Sequence, residues 1–167
     1  MDVPSLGMKV VDVEFRPNYD YVFDMSSAAH ARFVLPDLND LPKLAAWITC
    51  IYDASSLFEL IPVYLDAILL AIQQNNLPAL EYLWQGVYMD EDCPEYTEVL
   101  YLAAEYGNLT TWLHVLYART HYVVVDPNLP ISLDELKKIV RDPEVAKWIY
   151  EHEDDLLNLI EWENSVN

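Results

Sequence analysis

Histidine and cysteine side chains are common metal ligands and nucleophiles in proteins, and this sequence spaces them for neither task. None of its four histidines stands in a His-Glu-x-x-His or Glu-x-x-His motif, so the familiar zinc and di-metal patterns are missing. Cys50 and Cys93 form no Cys-x-x-Cys pair, which predicts two free thiols without a chemical role, in a reducing compartment. A dyad of Cys93 with His114 or His121 has no local support, and we expect His114 to pack in the core.

Carboxylates are the other chemical resource, and their richest cluster is Glu151, Glu153, Asp154 and Asp155. Glu151 and Asp155 are four residues apart, so on a helix they would form a slightly unfavourable like-charge pair. The spacing does not fit a calcium-binding loop, which also needs a turn glycine. We therefore expect a solvent-exposed face. The competing hypothesis is an enzyme that uses these carboxylates and loses its activity, but not its fold, when Glu151 or Asp155 is replaced.

Glycine and charge content exclude further classes of function. The chain has three glycines and no Gly-x-Ser-x-Gly motif, so phosphate-binding loops and a serine-nucleophile elbow are missing. Among 167 residues 28 are acidic and 9 are basic, which gives a net charge of −19. Nucleic-acid backbones and anionic membranes are bound through basic side chains, so we expect neither as a direct ligand. The sequence predicts no enzyme, no cofactor and no metal site.

The middle of the chain carries the charge that suggests a partner. Residues 61–130 hold nine acidic residues and one basic residue, Arg119. This excess of negative charge predicts a protein partner with a basic surface. The alternative is that the chain mimics a nucleic acid and inhibits a DNA- or RNA-binding protein. Displacement by duplex DNA would distinguish the two, because only a mimic competes with DNA.

Tyrosines beside acidic residues are the candidate binding residues, because this combination is typical of interface hot spots that face a basic partner. They lie in two segments, 87–94 and 120–130, that we predict to be loops. The candidates are Tyr88, Asp90, Glu91, Asp92, Tyr122 and Asp126. The alternative is that the tyrosines pack on their own segment and the acidic run is a solvated loop.

An internal repeat predicts the elements that position these residues. Residues 66–86 align with residues 98–118 at an offset of 32, with the small and cap residues in register. Each copy contains an apolar-periodic helix, a short break at Asn or Gly, and a second helix. We expect Leu70, Leu80 and Leu83 of one copy to pack on Leu102, Leu113 and Leu116 of the next. Leu102→Asp should then unfold the stack.

Two weaker copies flank this pair. In the first, a helix near residues 26–33 precedes Asp40, which should cap a second helix as Asn76 does in the next copy. In the last, the capping box Ser132-x-x-Glu135 predicts a helix over 133–140, and Asp142 should cap the helix that follows. A helix near 154–163 would cover the end of the array. Residues 9–15 and 122–125 alternate or are β-branched, which predicts extended chain.

The paired segments resemble the ankyrin repeat. Leu100, Ala103, Ala104, Gly107 and Leu109 match that family's Thr-Pro-Leu-His-x-Ala-Ala-x-x-Gly-x-Leu stretch, and in the preceding copy Asn75 replaces the glycine. Asn tolerates the left-handed conformation that this position favours. The two loops lack the glycine that is usual in ankyrin fingers, so a generic helical-hairpin solenoid is the alternative. Short, divergent proteins of large eukaryotic DNA viruses look similar, which implies an effector-type modulator of a host protein.

The fold expected is mainly α: a helical-hairpin solenoid of about four ankyrin-like repeats in a single domain. Residues 1–25 would be an extended N-terminal segment, 26–151 the repeats and 152–167 a C-terminal cap. The first residues lack the basic start and long apolar run of a signal peptide, so we expect a cytoplasmic protein that could enter the nucleus. The sequence leaves the oligomeric state open.

Overall fold

The computed structural model of this chain describes residues 13–54, 57–87, 96–121 and 132–157, and within these ranges it is mainly helical and contains no strand. The mainly α class is therefore confirmed. Eight helices of the described part are labelled in chain order: α1 (Ala28–Phe33), α2 (Leu41–Asp53), α3 (Leu57–Gln73), α4 (Leu77–Val87), α5 (Tyr96–Tyr106), α6 (Leu109–His121), α7 (Leu133–Ile139) and α8 (Pro143–Glu151). Residues 153–157 are also helical, whereas the rest of the predicted C-terminal helix lies outside the described residues.

The chain divides into two compact units, an N-terminal unit that contains residues 11–91 and a C-terminal unit that contains residues 92–167. In the N-terminal unit α3 packs on α4, α1 packs on α3, and α2 packs on α4. In the C-terminal unit α5 packs on α6, α5 on α7, and α6 on α8. Within each unit, therefore, helices of one hairpin pack on their counterparts in the next. A single domain with one array of four hairpins involves both units and stays a prediction.

In each of the four hairpins the second helix begins with an Asp or Asn that acts as its N-cap. Asp40, Asn76, Asn108 and Asp142 each accept a hydrogen bond from a backbone N–H of the following first turn, at 2.8 to 3.2 Å. This bond satisfies one of the N–H groups that a helix start leaves without a partner. The caps predicted at Asp40, Asn76 and Asp142 are confirmed. Asn108, which the repeat aligns with Asn76, caps as well.

The last hairpin departs from its predicted capping box in one detail. The Ser132 hydroxyl accepts the backbone N–H of Glu135 at 3.3 Å, as the motif requires. The N–H of Ser132 donates to the Tyr101 hydroxyl at 2.8 Å rather than to the Glu135 carboxylate. A side chain of α5 thus completes the cap of α7, and this contact ties together the two hairpins of the C-terminal unit.

The break inside the second hairpin confirms a conformational prediction. Asn75 has φ of 51°, the left-handed region, and its position between α3 and α4 needs a residue that tolerates it. Gly107, at the aligned position, serves a different need. A Cβ there would lie 2.7 Å from the carbonyl oxygen of Ala103, so the close approach of backbone excludes larger residues. The same position of the repeat is therefore occupied by Asn75 because of its backbone conformation and by Gly107 because of its close backbone contact.

The core agrees only in part with the leucine pattern. Leu80, Leu83 and Leu116 are fully buried, as predicted. Leu70, Leu102 and Leu113 are only half-buried. The predicted packing of residues 66–86 on residues 98–118 joins the two units and stays a prediction. Periodicity indicates which helix face turns inward, but the depth of each side chain depends on its neighbours. Leu102→Asp therefore buries less charge than expected, and the substitution that would bury one fully is at Leu100.

Aromatic and small side chains fill the centre of each unit. Trp47 of α2 and Trp112 of α6 are fully buried, and the indole Nε1 of Trp47 donates to the carbonyl oxygen of Ala31 at 3.0 Å. Ala71 and Ala103 are buried where helices approach closely. No helix in the described part of the chain is both long and apolar enough to cross a membrane.

Candidate functional site

The binding residues predicted from sequence cannot be placed. Tyr88, Asp90, Glu91, Asp92, Tyr122 and Asp126 lie outside the described residues. The extended segment at 122–125 and residues 9–12 lie outside them too. The surface that the structure does present is in the N-terminal unit, where residues 13–27, here called the strap, run beside α2 and α4.

A glutamine side chain fixes the first part of the strap. The backbone N–H of Phe15 donates to Gln85 Oε1 at 2.8 Å, and Gln85 Nε2 donates to the carbonyl oxygen of Val13 at 2.8 Å. The two bonds imitate the pairing that a neighbouring strand would provide, although residues 13–15 form no strand. The Phe15 ring packs edge-on against Tyr82 of α4, with ring centroids 5.9 Å apart. The strap is therefore anchored to α4 by polar and aromatic contacts together.

A second anchor lies at Asn18. Its backbone N–H donates to the Thr49 hydroxyl at 3.0 Å, and its side-chain Nδ2 donates to the carbonyl oxygen of Pro42 at 2.7 Å. Its Oδ1 accepts the backbone N–H of Asp20 at 3.0 Å, which turns the chain after the anchor. Thr49 is itself oriented, because its hydroxyl donates to the Ala45 carbonyl oxygen at 2.7 Å. This anchor ties the strap to the first turn of α2 at Pro42 and to its third turn at Thr49.

Between the strap and the C-terminal half of α2 lies a groove of about 500 Å³, here called the strap groove. Its apolar lining comes from the strap, from α2 and from α3. The side chains that matter here are Tyr21, Phe23, Met25, Cys50, Ala54 and Leu60. The Cys50 thiol lies 3.8 Å from the carbonyl oxygen of Tyr21, to which it donates a weak hydrogen bond. A volume of this size falls in the usual range of ligand-binding clefts.

Large apolar side chains stand at the mouth of the strap groove rather than inside the protein. Tyr19 and Val22 line the groove and are 70% and 92% exposed. Tyr21, which also lines the groove, is 43% exposed. Single exposed apolar residues are common, but several at the edge of one cleft indicate an interaction surface.

The charges around the strap groove are negative. Asp20, Asp24 and Asp53 are exposed, and none of them forms an ion pair with another residue of the described ranges. The backbone N–H of Ser26 donates to Asp24 Oδ1 at 2.9 Å. Hydrogen bonds from Ser26 lower the pKa of the Asp24 carboxyl, so it is ionised at neutral pH. No Lys, Arg or His side chain is among the described residues that line the groove.

Among the described residues, the side chains with possible chemistry do not assemble into a reactive centre, and Cys93 lies outside those residues. His114 is fully buried in α6, as expected. In the acidic cluster, Glu153 forms an ion pair with Lys137, and Glu151 lies 3.8 Å from Lys147. Asp155 is exposed, as predicted for a solvated face. Across the residues that the structure describes, no group of three or more His, Cys, Asp and Glu side chains could hold a metal ion.

The composition of the strap is the feature of the sequence that indicates a binding surface at the strap groove. Residues 19–24 contain three aromatic and two acidic side chains, with no basic residue among them. The same pairing of tyrosine with carboxylate had singled out the two loops, yet here it falls in a segment predicted only to be extended. No family model, curated protein or solved structure matches this chain. Its function is therefore inferred from the geometry of its own residues.

Proposed function

We propose that this protein is a non-catalytic interaction module that binds a protein partner through an acidic, aromatic surface. One observation carries the proposal: exposed aromatic side chains of the strap stand beside carboxylates that have no ion-pair partner among the described residues. Tyrosine supplies a large contact area at low entropic cost, and the carboxylates select the charge of the partner.

We propose further that the hairpins are ankyrin-like. The capping residues 40, 76, 108 and 142 recur every 32 to 36 residues, close to the ankyrin period of about 33. Within each unit the helices of successive hairpins pack like against like. Arrays of this kind present long surfaces that bind proteins, because a single hairpin cannot bury its own apolar face.

A basic partner follows from the charge. A net charge of −19 attracts positively charged surfaces, speeds their encounter and repels acidic ones. Such attraction is screened by salt, with a Debye length of about 10 Å at 0.1 M and about 3 Å at 1 M. Binding to the natural partner should therefore weaken steeply as salt rises.

Affinity capture from a cell lysate at low and at high salt, followed by mass spectrometry, tests the proposal. We expect partners with basic surfaces at low salt, and their loss at high salt. Recovery of only neutral or acidic partners, insensitive to salt, would contradict it. A parallel capture with Phe33→Ser, which alters an exposed side chain away from the strap groove, controls for non-specific adhesion.

The same excess of charge supports a second candidate, a nucleic-acid mimic that occupies the binding groove of a DNA- or RNA-binding protein. The captured partners distinguish the two functions. If duplex DNA displaces the chain from its partner in competition, the chain acts as a mimic. If DNA leaves the complex intact, it acts as an ordinary interaction module.

A further inference from the structure

We infer that the strap groove is the docking site for an extended peptide segment of the partner, with one large apolar side chain between lysine or arginine residues. This inference rests on the proposed function and adds to it the place of contact and the chemistry of the bound segment.

The interior of the strap groove suits an apolar anchor. Its volume of about 500 Å³ is more than a leucine or an aromatic side chain occupies, and Phe23, Met25 and Leu60 line it. Methionine adapts its shape to different side chains, which lets one groove accept several apolar anchors. At the mouth, Tyr19 and Val22 are already exposed, so a side chain entering between them removes apolar surface from water.

The border of the strap groove selects positive charge. Asp53 lies on α2 among the lining residues, and Asp20 and Asp24 are each flanked along the strap by residues that line the groove. A peptide with basic residues on both sides of its anchor can pair with Asp53 and with these neighbouring carboxylates. Three basic side chains lie at the strap. Arg16 pairs with Glu14 at 3.4 Å, Lys43 lies 5.7 Å from the centre of the Tyr21 ring, and His30 Nδ1 lies 2.9 Å from the Ser27 hydroxyl. None of them is among the described residues that line the groove.

The backbone of the strap favours an extended partner. From Tyr21 to Asp24, no backbone N–H donates a hydrogen bond to any residue of the described ranges. Exposed, unpaired backbone of this kind resembles the edge of a sheet, along which peptides commonly add as a further strand. The anchored ends of the strap hold this stretch in place before a partner arrives, which lowers the entropic cost of binding.

Charge argues against the other occupants. A second copy of this chain would bring another net charge of −19 toward a groove bordered by carboxylates. An anionic membrane would meet the same repulsion. A basic peptide is the occupant that the charges attract.

The experiment is a selection of random dodecapeptides displayed on phage against the full chain. A synthetic peptide of the enriched consensus is then labelled, and its affinity is measured by fluorescence anisotropy. We expect a consensus with an aliphatic or aromatic residue flanked by Lys or Arg. Val22→Ser and Asp53→Lys, both at exposed positions, should each weaken binding about tenfold.

Two matched variants serve as controls, because each makes the same kind of change outside the strap groove. Phe33→Ser removes an exposed apolar side chain of α1, and Asp155→Lys reverses an exposed charge in the C-terminal unit. Both should keep the affinity within about twofold, since surface contacts outside an interface contribute little. An equal loss for Asp53→Lys and Asp155→Lys would overturn the inference, because the peptide would then read only net charge. An equal loss for Val22→Ser and Phe33→Ser would overturn it too, because the apolar contact would then not be specific to the groove.

Further outcomes separate this inference from the proposed function. If lysate partners bind in a salt-dependent manner but Val22→Ser and Asp53→Lys do not weaken their binding, the inference about the strap groove fails and the proposed function stands. If neither basic peptides nor basic proteins bind, both fail. If sedimentation shows a dimer that Val22→Ser dissociates, the occupant is a second copy and the peptide inference is overturned.

Discussion

The contact between α2 and α4 offers a sharp test of the packing in the N-terminal unit. Gly86 is buried near the end of α4, and a Cβ at this position would overlap Cγ2 of Ile48 on α2. Ile48 is itself 1% exposed, and its β-branched side chain is restricted to few rotamers in a helix. The clash therefore cannot be relieved by a simple rotation of the side chain.

Two opposing effects decide the outcome of Gly86→Ala. Replacing glycine by alanine inside a helix stabilises by up to about 1 kcal/mol, and less near a helix end. Overpacking a tight core contact costs about 1–3 kcal/mol. The clash wins, so we expect the free energy of unfolding to fall by roughly 1–2 kcal/mol. Urea unfolding followed by far-UV circular dichroism would show this as a lower midpoint with an unchanged slope.

Ile48→Leu provides the matched background for this test. Leucine keeps the volume of isoleucine but moves the branch away from Cβ, so the atom that blocks a residue-86 side chain is gone. In this background Gly86→Ala should be neutral or slightly stabilising, which gives a coupling of about 1 kcal/mol or more between the two sites. If Gly86→Ala costs the same in both backgrounds, the packing of α2 on α4 described above is incorrect.

Three smaller perturbations test the strap and the second hairpin. Gln85→Glu keeps the acceptor for Phe15 but loses the donor to the Val13 carbonyl and to the Glu81 carboxylate, so the strap should exchange its amide hydrogens faster. Unchanged exchange would refute this anchor. Asn75→Ala should destabilise by about 1 kcal/mol in urea because of the left-handed φ, whereas Asn75→Gly should not; equal costs would contradict the assignment. Hydrogen bonds lower the pKa of Asp24 from its ordinary value of 3.8. These bonds therefore stabilise the folded state fully above pH 3.8, and this stabilisation is lost as the pH falls through the lower pKa of the folded state. In NMR spectra the backbone amide resonance of Ser26, which donates to Asp24, should titrate with a midpoint below 3.8. A midpoint above this value would contradict the lowered pKa of Asp24.

The parts of the fold that follow from local rules were predictable from the sequence. A cap such as Asp40 acts on the first turn of its own helix, and Asn75 adopts a conformation that its own side chain tolerates. The strap groove was not predictable in this way. Gln85 reaches a chain segment 70 residues earlier, and no short-range pattern encodes that contact. Leu102 shows the same limit, since periodicity places it on a helix face but does not fix how far it is buried.

The way in which the strap is held connects its structure with the proposed binding. Hydrogen bonds concentrate at its two ends: Gln85 and Asn18 fix the beginning, and Ser27 caps α1 at the end by accepting the backbone N–H of His30. From Tyr21 to Asp24 no backbone N–H donates to a described residue, and Tyr21 and Val22 are exposed. A segment needed only for stability would gain by pairing these groups or burying these side chains. A segment with fixed ends and an open middle is instead pre-organised to bind, because a partner that pairs with the middle need not first order the chain.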